Sequence, residues 1–175
     1  KEYIYHHKSI TFYPHYISDV QRRLYYFLLD KYLHPTKLFD KDNLIYKTTK
    51  GRLSNVITDN IDYHIRKIVN FGFGYQNKLI KSVNIQENKV EFYYTQYYSI
   101  QDKINNHYTY FKLKDVMSFI NADTQRWYEI FSHYNFKPFI LSLHRIRSIF
   151  IYKNKTEWYS YEKVRKNINN CLDEI

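Results

Sequence analysis

The sequence predicts an α+β fold that is mostly helical, and three observations support that prediction. Apolar residues recur at helical spacing, i, i+3, i+4 and i+7, through much of the 175-residue chain. One stretch near the middle instead alternates apolar and polar residues with a period of two, which is typical of paired β-strands. Only three glycines and three prolines punctuate the chain, too few for a turn-rich sandwich. A chain of this length forms one ordinary domain or two small ones.

Two helices are predicted in the first half of the chain. Ser18 is a suitable N-cap for the first and Pro35 ends it, so the helix runs from about 19 to 34. Its apolar face consists of Val20, Leu24, Phe27 and Leu28. Either Thr58 or Asp59 is a suitable N-cap for the second helix. Its apolar stripe follows the i, i+4, i+7, i+8 rule and consists of Ile61, Ile65, Ile68 and Val69.

A β-hairpin is predicted after the second helix. Two alternating runs are separated by Glu87 and Asn88, which form the turn. The apolar residues of the two runs are Val83, Ile85, Val90, Phe92 and Tyr94. Residues 44 to 57, ahead of the second helix, are ambiguous: they combine a short β-prone piece with a helical turn or two past Gly51.

Four short helices are predicted in the second half, after a polar linker over residues 99 to 109. Candidate N-caps for the last three are Asn121 or Asp123, Ser142 and Ser160. The first of the four has the apolar stripe Leu113, Val116, Met117 and Ile120. The last has the apolar stripe Val164, Ile168, Cys171, Leu172 and Ile175.

The order of these elements is that of a winged helix. In such a domain a third helix enters a DNA major groove and a two-stranded ribbon touches the flanking backbone. The sequence therefore predicts two tandem winged-helix domains, an N-terminal one over 1–100 for dimerisation or DNA contact and a C-terminal one over 101–175 for DNA recognition. Ile175 still belongs to the last apolar stripe, so we expect the second domain to lack its terminal wing or the chain to be truncated.

Charge and composition indicate the kind of partner. The chain has 27 Lys and Arg against 17 Asp and Glu, a net charge of +10 and a pI near 9.4. Such an excess of positive charge favours a polyanionic partner, with nucleic acid preferred over an anionic membrane. The single Cys171 cannot form an intramolecular disulfide, and neither a signal peptide nor an apolar run long enough for a membrane span is present in the sequence. We therefore expect a cytoplasmic protein with no membrane contact.

The polar face of the last predicted helix is the main candidate site. Residues 142 to 166 contain seven Lys or Arg residues against two glutamates. The candidate DNA-binding side chains of this region are Arg145, Arg147, Lys153, Lys155, Lys163, Arg165, Lys166, Asn169 and Asn170. Arg or Lys can pair with guanine and Asn with adenine, while other cations neutralise phosphates. The alternative for the same face is a solvated polar helix surface.

A second candidate site lies on the predicted helix near residues 59 to 70. Tyr63, Arg66 and Lys67 lie opposite its isoleucine stripe, where they could contact DNA, a protein partner or only water.

Motifs for catalysis and for cofactors are missing from the sequence. It has no G-x-x-x-x-G-K-[ST] phosphate loop, no G-x-S-x-G elbow and no H-E-x-x-H helix. His6, His7 and His15 cluster near the start, but no Cys or carboxylate stands at metal-ligand spacing from them. We therefore expect a binding protein that is not an enzyme and that needs neither metal nor cofactor.

Four segments together resemble the iteron-binding Rep family of plasmid replication initiators, which are built from two winged-helix domains. They are ISDVQRRLYYFLL, KVEFYYTQYYSI, YTYFKLKDVMSFINADTQRWYEIFSHYNFK and SYEKVRKNINNCLDEI. The third is the most specific, because it contains the family's Arg-Leu-Tyr-Glu helix, here Arg126-Trp127-Tyr128-Glu129. Trp127 stands where the family has leucine.

The resemblance implies a function. The second domain would bind direct repeats in double-stranded DNA at a plasmid origin. The first domain would add contacts as a monomer, or form a homodimer that represses its own gene. The protein would then help to melt AT-rich DNA and recruit host replication proteins in the bacterial cytoplasm.

Two alternatives stay open on the sequence alone. One is a winged-helix transcription repressor of a mobile element. The other is a helical interaction protein of a GC-poor virus or parasite, which binds no DNA and owes its positive charge to codon bias.

Overall fold

The computed structural model describes residues 3–12, 18–71, 78–96, 108–150 and 160–175. Those residues form an α+β fold with more helix than strand, as the periodicity predicts. The described elements are β1 (Tyr3–His7), α1 (Lys8–Phe12), α2 (Asp19–Leu33), β2 (Phe39–Asp40), β3 (Ile45–Thr49), α3 (Lys50–Leu53), α4 (Ile61–Lys67, continued by a 3-10 turn over Ile68–Asn70), β4 (Ile80–Gln86), β5 (Lys89–Tyr94), β6 (Tyr108–Lys112), α5 (Leu113–Ser118), α6 (Ala122–His133), α7 (Leu143–Ile149) and α8 (Tyr161–Leu172).

The first half has the winged-helix order. Helix α2 begins after Ser18, whose hydroxyl accepts a hydrogen bond from the Gln21 amide at 3.3 Å. Helices α3 and α4 follow, and β4 and β5 then form the predicted hairpin. The four-stranded sheet has the order β2-β3-β5-β4. The inner face of β5 carries Val90, Phe92 and Tyr94, all buried, as the alternation predicts.

The ambiguous segment at 44 to 57 contains both structures that its sequence allowed. Strand β3 buries Tyr46 and Thr48 at alternate positions, and Thr49 caps α3 by accepting a hydrogen bond from the Arg52 amide at 3.3 Å. The strand pairs antiparallel with β5, which places the short helix beside the hairpin.

The predicted cap of α4 at Thr58 or Asp59 is wrong. The N-cap is Asn60, in a left-handed conformation with φ 48°, and its side chain makes no capping hydrogen bond. Asparagine tolerates this conformation better than most residues, so the chain can turn there and enter the helix one residue later. Ile65 and Ile68 are buried, which confirms the apolar stripe.

The second half packs three helices, α6, α7 and α8, around a core of its own. That core consists of Trp127, Ile130, Ile149, Phe150, Val164 and Cys171. The predicted caps are confirmed for α6 at Asn121, for α7 at Ser142 and for α8 at Ser160. In the described part of the chain, α8 is the last element.

Three residues predicted to lie inside are exposed instead. Ile120, Leu172 and Ile175 are 78%, 48% and 40% exposed. Beside them, the carboxylate of Glu174 accepts hydrogen bonds from the Ile120 amide at 2.8 Å and the Thr124 hydroxyl at 2.7 Å. This carboxylate sits at the start of α6, where the helix dipole favours negative charge, and the chain end is held by that polar contact rather than by apolar packing.

The sequence did not reveal the ribbon formed by β1 and β6. These strands pair antiparallel from Tyr3 opposite Lys112 to His7 opposite Tyr108. Residues 108 and 109, predicted to end the linker, are therefore part of a strand, and the rest of the linker lies outside the described residues. The larger apolar core also crosses residue 100, because it joins Leu24 to Phe111 and Val116. The division into 1–100 and 101–175 stays a prediction.

A series of polar contacts links this ribbon to α1 and α6. His6 contacts the Thr11 hydroxyl at 2.9 Å, Thr11 contacts Thr109 at 2.9 Å, and Thr109 contacts His133 at 3.0 Å. Burial, with the charges of Arg22 and Arg126, holds the pKa of His6 well below its usual value of 6.5. His6 is therefore neutral in the folded protein at neutral pH.

We expect the stability of the protein to fall as the pH drops below 6.5. The pKa of His6 is lower in the folded state, so the unfolded chain binds the proton first and stability is lost from the unfolded pKa downwards. The slope contributed by this histidine approaches about 1.4 kcal/mol per pH unit. Urea unfolding between pH 5 and 8 measures it. His6→Gln should flatten the profile and His144→Gln, at an exposed position of α7, should not; equal slopes in all three proteins would contradict the assignment.

Candidate nucleic-acid interface

Helix α8 is held against the second core by both apolar and polar contacts. Val164 and Cys171 are buried on its inner face. Between them, Asn167 accepts a hydrogen bond from the Trp127 indole N–H at 2.9 Å and donates one to Asp123 at 3.0 Å. Because an amide fits these two partners in only one orientation, Asn167 defines how the helix is rotated about its axis. Sequence analysis did not single out Asn167, since an asparagine next to an apolar stripe looks the same as one in solvent.

That rotation leaves the predicted DNA-binding side chains of α8 on the outside. All five are exposed, namely Lys163, Arg165, Lys166, Asn169 and Asn170. The first turn is capped by Ser160, whose hydroxyl accepts a hydrogen bond from the Lys163 amide at 3.3 Å. The cations therefore lie in the N-terminal half of an amphipathic helix and the two asparagines in its C-terminal half.

Helix α7 adds two exposed cations, Arg145 and Arg147. The Ser142 hydroxyl caps this helix by accepting a hydrogen bond from the Arg145 amide at 3.1 Å. The Arg145 guanidinium lies 5.6 Å from the centre of the Phe12 ring, a cation–π distance. Two further predicted contacts, Lys153 and Lys155, lie outside the described residues.

The second candidate face, on α4, is also exposed. Tyr63, Arg66 and Lys67 all point to solvent, and the Lys67 ammonium donates a hydrogen bond to the Tyr63 hydroxyl at 3.1 Å. Behind this face, the Gln21 amide donates to the backbone oxygen of His64 at 3.0 Å and joins α4 to α2. The structure thus presents one basic face in each half of the chain.

Comparison with solved structures finds 17 matching chains. The fold is similar to that of the Pi initiator protein, crystallised in complex with iteron DNA. The TM-score is 0.59 at 15% sequence identity, and the match covers 86% of this chain and 73% of that one. No family model and no curated protein matches the sequence. At this identity the comparison establishes the fold and leaves the function to be argued from the site.

The described residues contain neither a candidate metal cluster nor a candidate membrane span. No group of three or more His, Cys, Asp or Glu side chains there could hold a metal ion. None of the helices there is long and apolar enough to cross a bilayer.

A buried ionic cluster connects the two halves behind these faces. The Glu129 carboxylate accepts hydrogen bonds from the Arg22 guanidinium and the Tyr26 hydroxyl, and Arg126 approaches it at 3.4 Å. All four side chains are at most 1% exposed. Burial, with the charge of Glu129, raises the pKa of Tyr26 well above its usual value, so the phenol stays protonated and donates. The cluster joins α2 to α6, so the Arg-Trp-Tyr-Glu motif has a structural role here.

Replacing Asn167 by leucine should reduce stability by about 1–3 kcal/mol, because it removes two partly buried hydrogen bonds. Urea unfolding, monitored by tryptophan fluorescence, measures the loss of stability. Trp127 is itself one of the two hydrogen-bond partners that Asn167→Leu removes. The matched control is Asn169→Leu in the same helix, where the side chain is exposed and stability should change by less than about 0.5 kcal/mol. Equal losses in both variants would contradict the orienting role of Asn167.

Proposed function

We propose that this chain is a sequence-specific double-stranded DNA-binding protein, and more narrowly an initiator of the iteron-binding Rep family. In that role it binds repeats at a plasmid origin and helps to open it. The observation that carries the proposal is the outer face of α8, where three cations and two asparagines are exposed together. The similarity in fold to a Pi initiator protein solved with iteron DNA supports it.

The proposed mechanism is insertion of α8 into a major groove. Its N-terminal half carries Lys163, Arg165 and Lys166. In a docked recognition helix, the N-terminal residues are the ones that contact base edges. Arginine or lysine on guanine and asparagine on adenine contribute about 1–3 kcal/mol of discrimination for each good bidentate pair. Arg145 and Arg147, on the neighbouring helix, would bind phosphates and release counterions.

The N-terminal half would supply the second contact. In the monomer, its α4 face, with Tyr63, Arg66 and Lys67, contacts DNA. Alternatively, this half of the chain forms a homodimer. Host replication proteins are the further partners that the initiator role requires. In this proposal the protein acts in the bacterial cytoplasm, and it is a binding protein without catalysis, metal or cofactor.

The test begins with selection of bound duplexes from a random library, followed by footprinting on the selected site. Several direct repeats would support an initiator. A single palindrome would instead indicate a repressor, because a two-fold site mirrors a symmetric dimer. Absence of any duplex affinity would leave the protein-interaction alternative and end the proposal.

The salt dependence of duplex affinity tests whether the protein contacts DNA phosphates. The logarithm of duplex affinity should fall linearly with the logarithm of salt concentration, with a slope of about −0.9 for each phosphate neutralised. With at least three basic residues at the interface, a slope near −3 or steeper is expected. Fluorescence anisotropy at salt concentrations from roughly 50 to 300 mM measures this slope. A flat response would contradict phosphate contact.

A further inference from the structure

A cleft between α1, α6 and α7 contains Arg145, which the proposed DNA interface also uses, and none of the described α8 side chains. Its volume is about 340 Å³, and its described lining is Lys8, Phe12, His133, Tyr134, Leu141 and Arg145. Clefts that bind small molecules begin at roughly 300 Å³. The cleft is therefore large enough for a small organic ligand.

One side of the cleft is aromatic. The ring of Phe12 meets His133 edge-to-face at 5.0 Å and Tyr134 at 6.2 Å. Tyr134 in turn stacks on Phe139 at 4.2 Å, which holds its ring in place. Such a group of ordered rings is suited to contact with a flat heterocycle, since stacking on aromatic side chains tolerates any base.

The other feature of the cleft is positive charge. Lys8 and Arg145 come from different elements, both are exposed, and no carboxylate is among the described lining residues. Burial, with the charge of Lys8, lowers the pKa of His133, and its Nδ1 contacts the Thr109 hydroxyl at 3.0 Å. The lowered pKa favours the neutral form of His133, so the described charges of the cleft are the cations Lys8 and Arg145, which attract an anion.

We propose that this cleft binds a single nucleotide unit, with the phosphate at Lys8 and Arg145 and the base against the rings. A purely apolar ligand would bring no negative charge to Lys8 and Arg145, and a small inorganic anion would bring no ring to the aromatic side. A nucleotide satisfies both sets of groups. It can come from an unpaired stretch of a DNA strand or from a free nucleotide. The first source rests on the proposed function, since opening an origin exposes unpaired bases; the second does not.

The binding test uses the full chain and four probes: labelled single-stranded oligothymidylate, thymidine monophosphate, thymidine and inorganic phosphate. The oligonucleotide should bind and the monophosphate should compete with it. Lys8→Gln and Arg145→Gln should each weaken both about tenfold, the effect of losing one charge-assisted hydrogen bond. Lys137→Gln, at an exposed position outside the lining, should leave affinity unchanged.

The remaining outcomes are equally informative. Competition by thymidine monophosphate without binding of the oligonucleotide would identify the free nucleotide as the source. Competition by inorganic phosphate as strong as that by the monophosphate would remove the role of the rings and overturn the proposal. Failure of both nucleotide probes to bind would also overturn it.

A second readout does not depend on any variant of the cleft. Adding thymidine monophosphate should raise the pKa of His133, followed by its imidazole NMR signals, because a phosphate beside the ring favours the charged form. No shift on saturation would contradict binding in this cleft. Lys166→Gln, on α8, should weaken duplex binding and leave this shift intact. A protein that binds the nucleotide but no duplex would end the proposed function and leave the cleft site standing.

Discussion

Replacing Glu129 by glutamine should lower the free energy of unfolding by about 3–5 kcal/mol. The carboxylate is fully buried and accepts hydrogen bonds from Arg22, Tyr26 and Arg126. Removing its charge leaves two buried guanidinium groups without their shared anion, and an uncompensated buried charge is far more costly than the loss of one hydrogen bond. This is the largest effect of a single substitution that the described contacts predict.

Urea unfolding at pH 7 measures the effect. The matched control is Glu162→Gln on the outer face of α8, where the same change in an exposed side chain should cost less than about 0.5 kcal/mol. Because Arg22 lies on α2 and Glu129 on α6, the loss should appear in both halves of the chain in a single transition. A loss below about 1 kcal/mol would show that other groups compensate the two arginines.

Lys166→Glu should weaken duplex binding about 10- to 100-fold. The substitution removes one phosphate or base contact and places a negative charge beside the DNA backbone, so it loses an attraction and adds a repulsion. The side chain is exposed, so the fold should keep its stability within about 0.5 kcal/mol. Lys166→Glu should therefore lower the affinity for duplex DNA without lowering the free energy of unfolding.

Fluorescence anisotropy with the selected duplex measures the effect of Lys166→Glu. Lys114→Glu, on the exposed side of α5, is the control, since it changes the net charge by the same amount away from the recognition helix. Only a small, salt-sensitive loss from the overall field is expected there. Equal losses for the two variants would remove α8 as the recognition helix.

Local patterns were sufficient for the elements whose burial repeats along the chain. The hairpin of β4 and β5 and the helices α2 and α8 each have one apolar face and one polar face, so period and caps predict them. The exposure of the α8 cations follows from the same pattern, because a side chain opposite a buried stripe lies on the outer face of the helix. The fold class that the sequence predicts agrees with the similarity in fold to the Pi initiator protein.

The ribbon of β1 and β6 illustrates what a local pattern misses. Strand β1 alternates Ile4 and His6, both buried, with Tyr3, Tyr5 and His7, which are exposed or half-buried. Aromatic and histidine side chains occur on both faces, so the apolar and polar contrast that marks a half-buried strand is absent. Its partner lies about a hundred residues further along the chain, and nothing in a window of ten residues indicates that pairing.

The amino-acid order alone determined most of the helices, though not α1, and which of their faces are basic, because periodicity and capping act over only a few residues. Only the tertiary structure decided where those helices meet: the ion pair of Arg22 with Glu129, the polar anchor at Asn167 and the cleft between Lys8 and Arg145. Each of these joins residues from distant parts of the chain. Their energy comes from burial and from hydrogen-bond geometry, which exist only once the core has assembled.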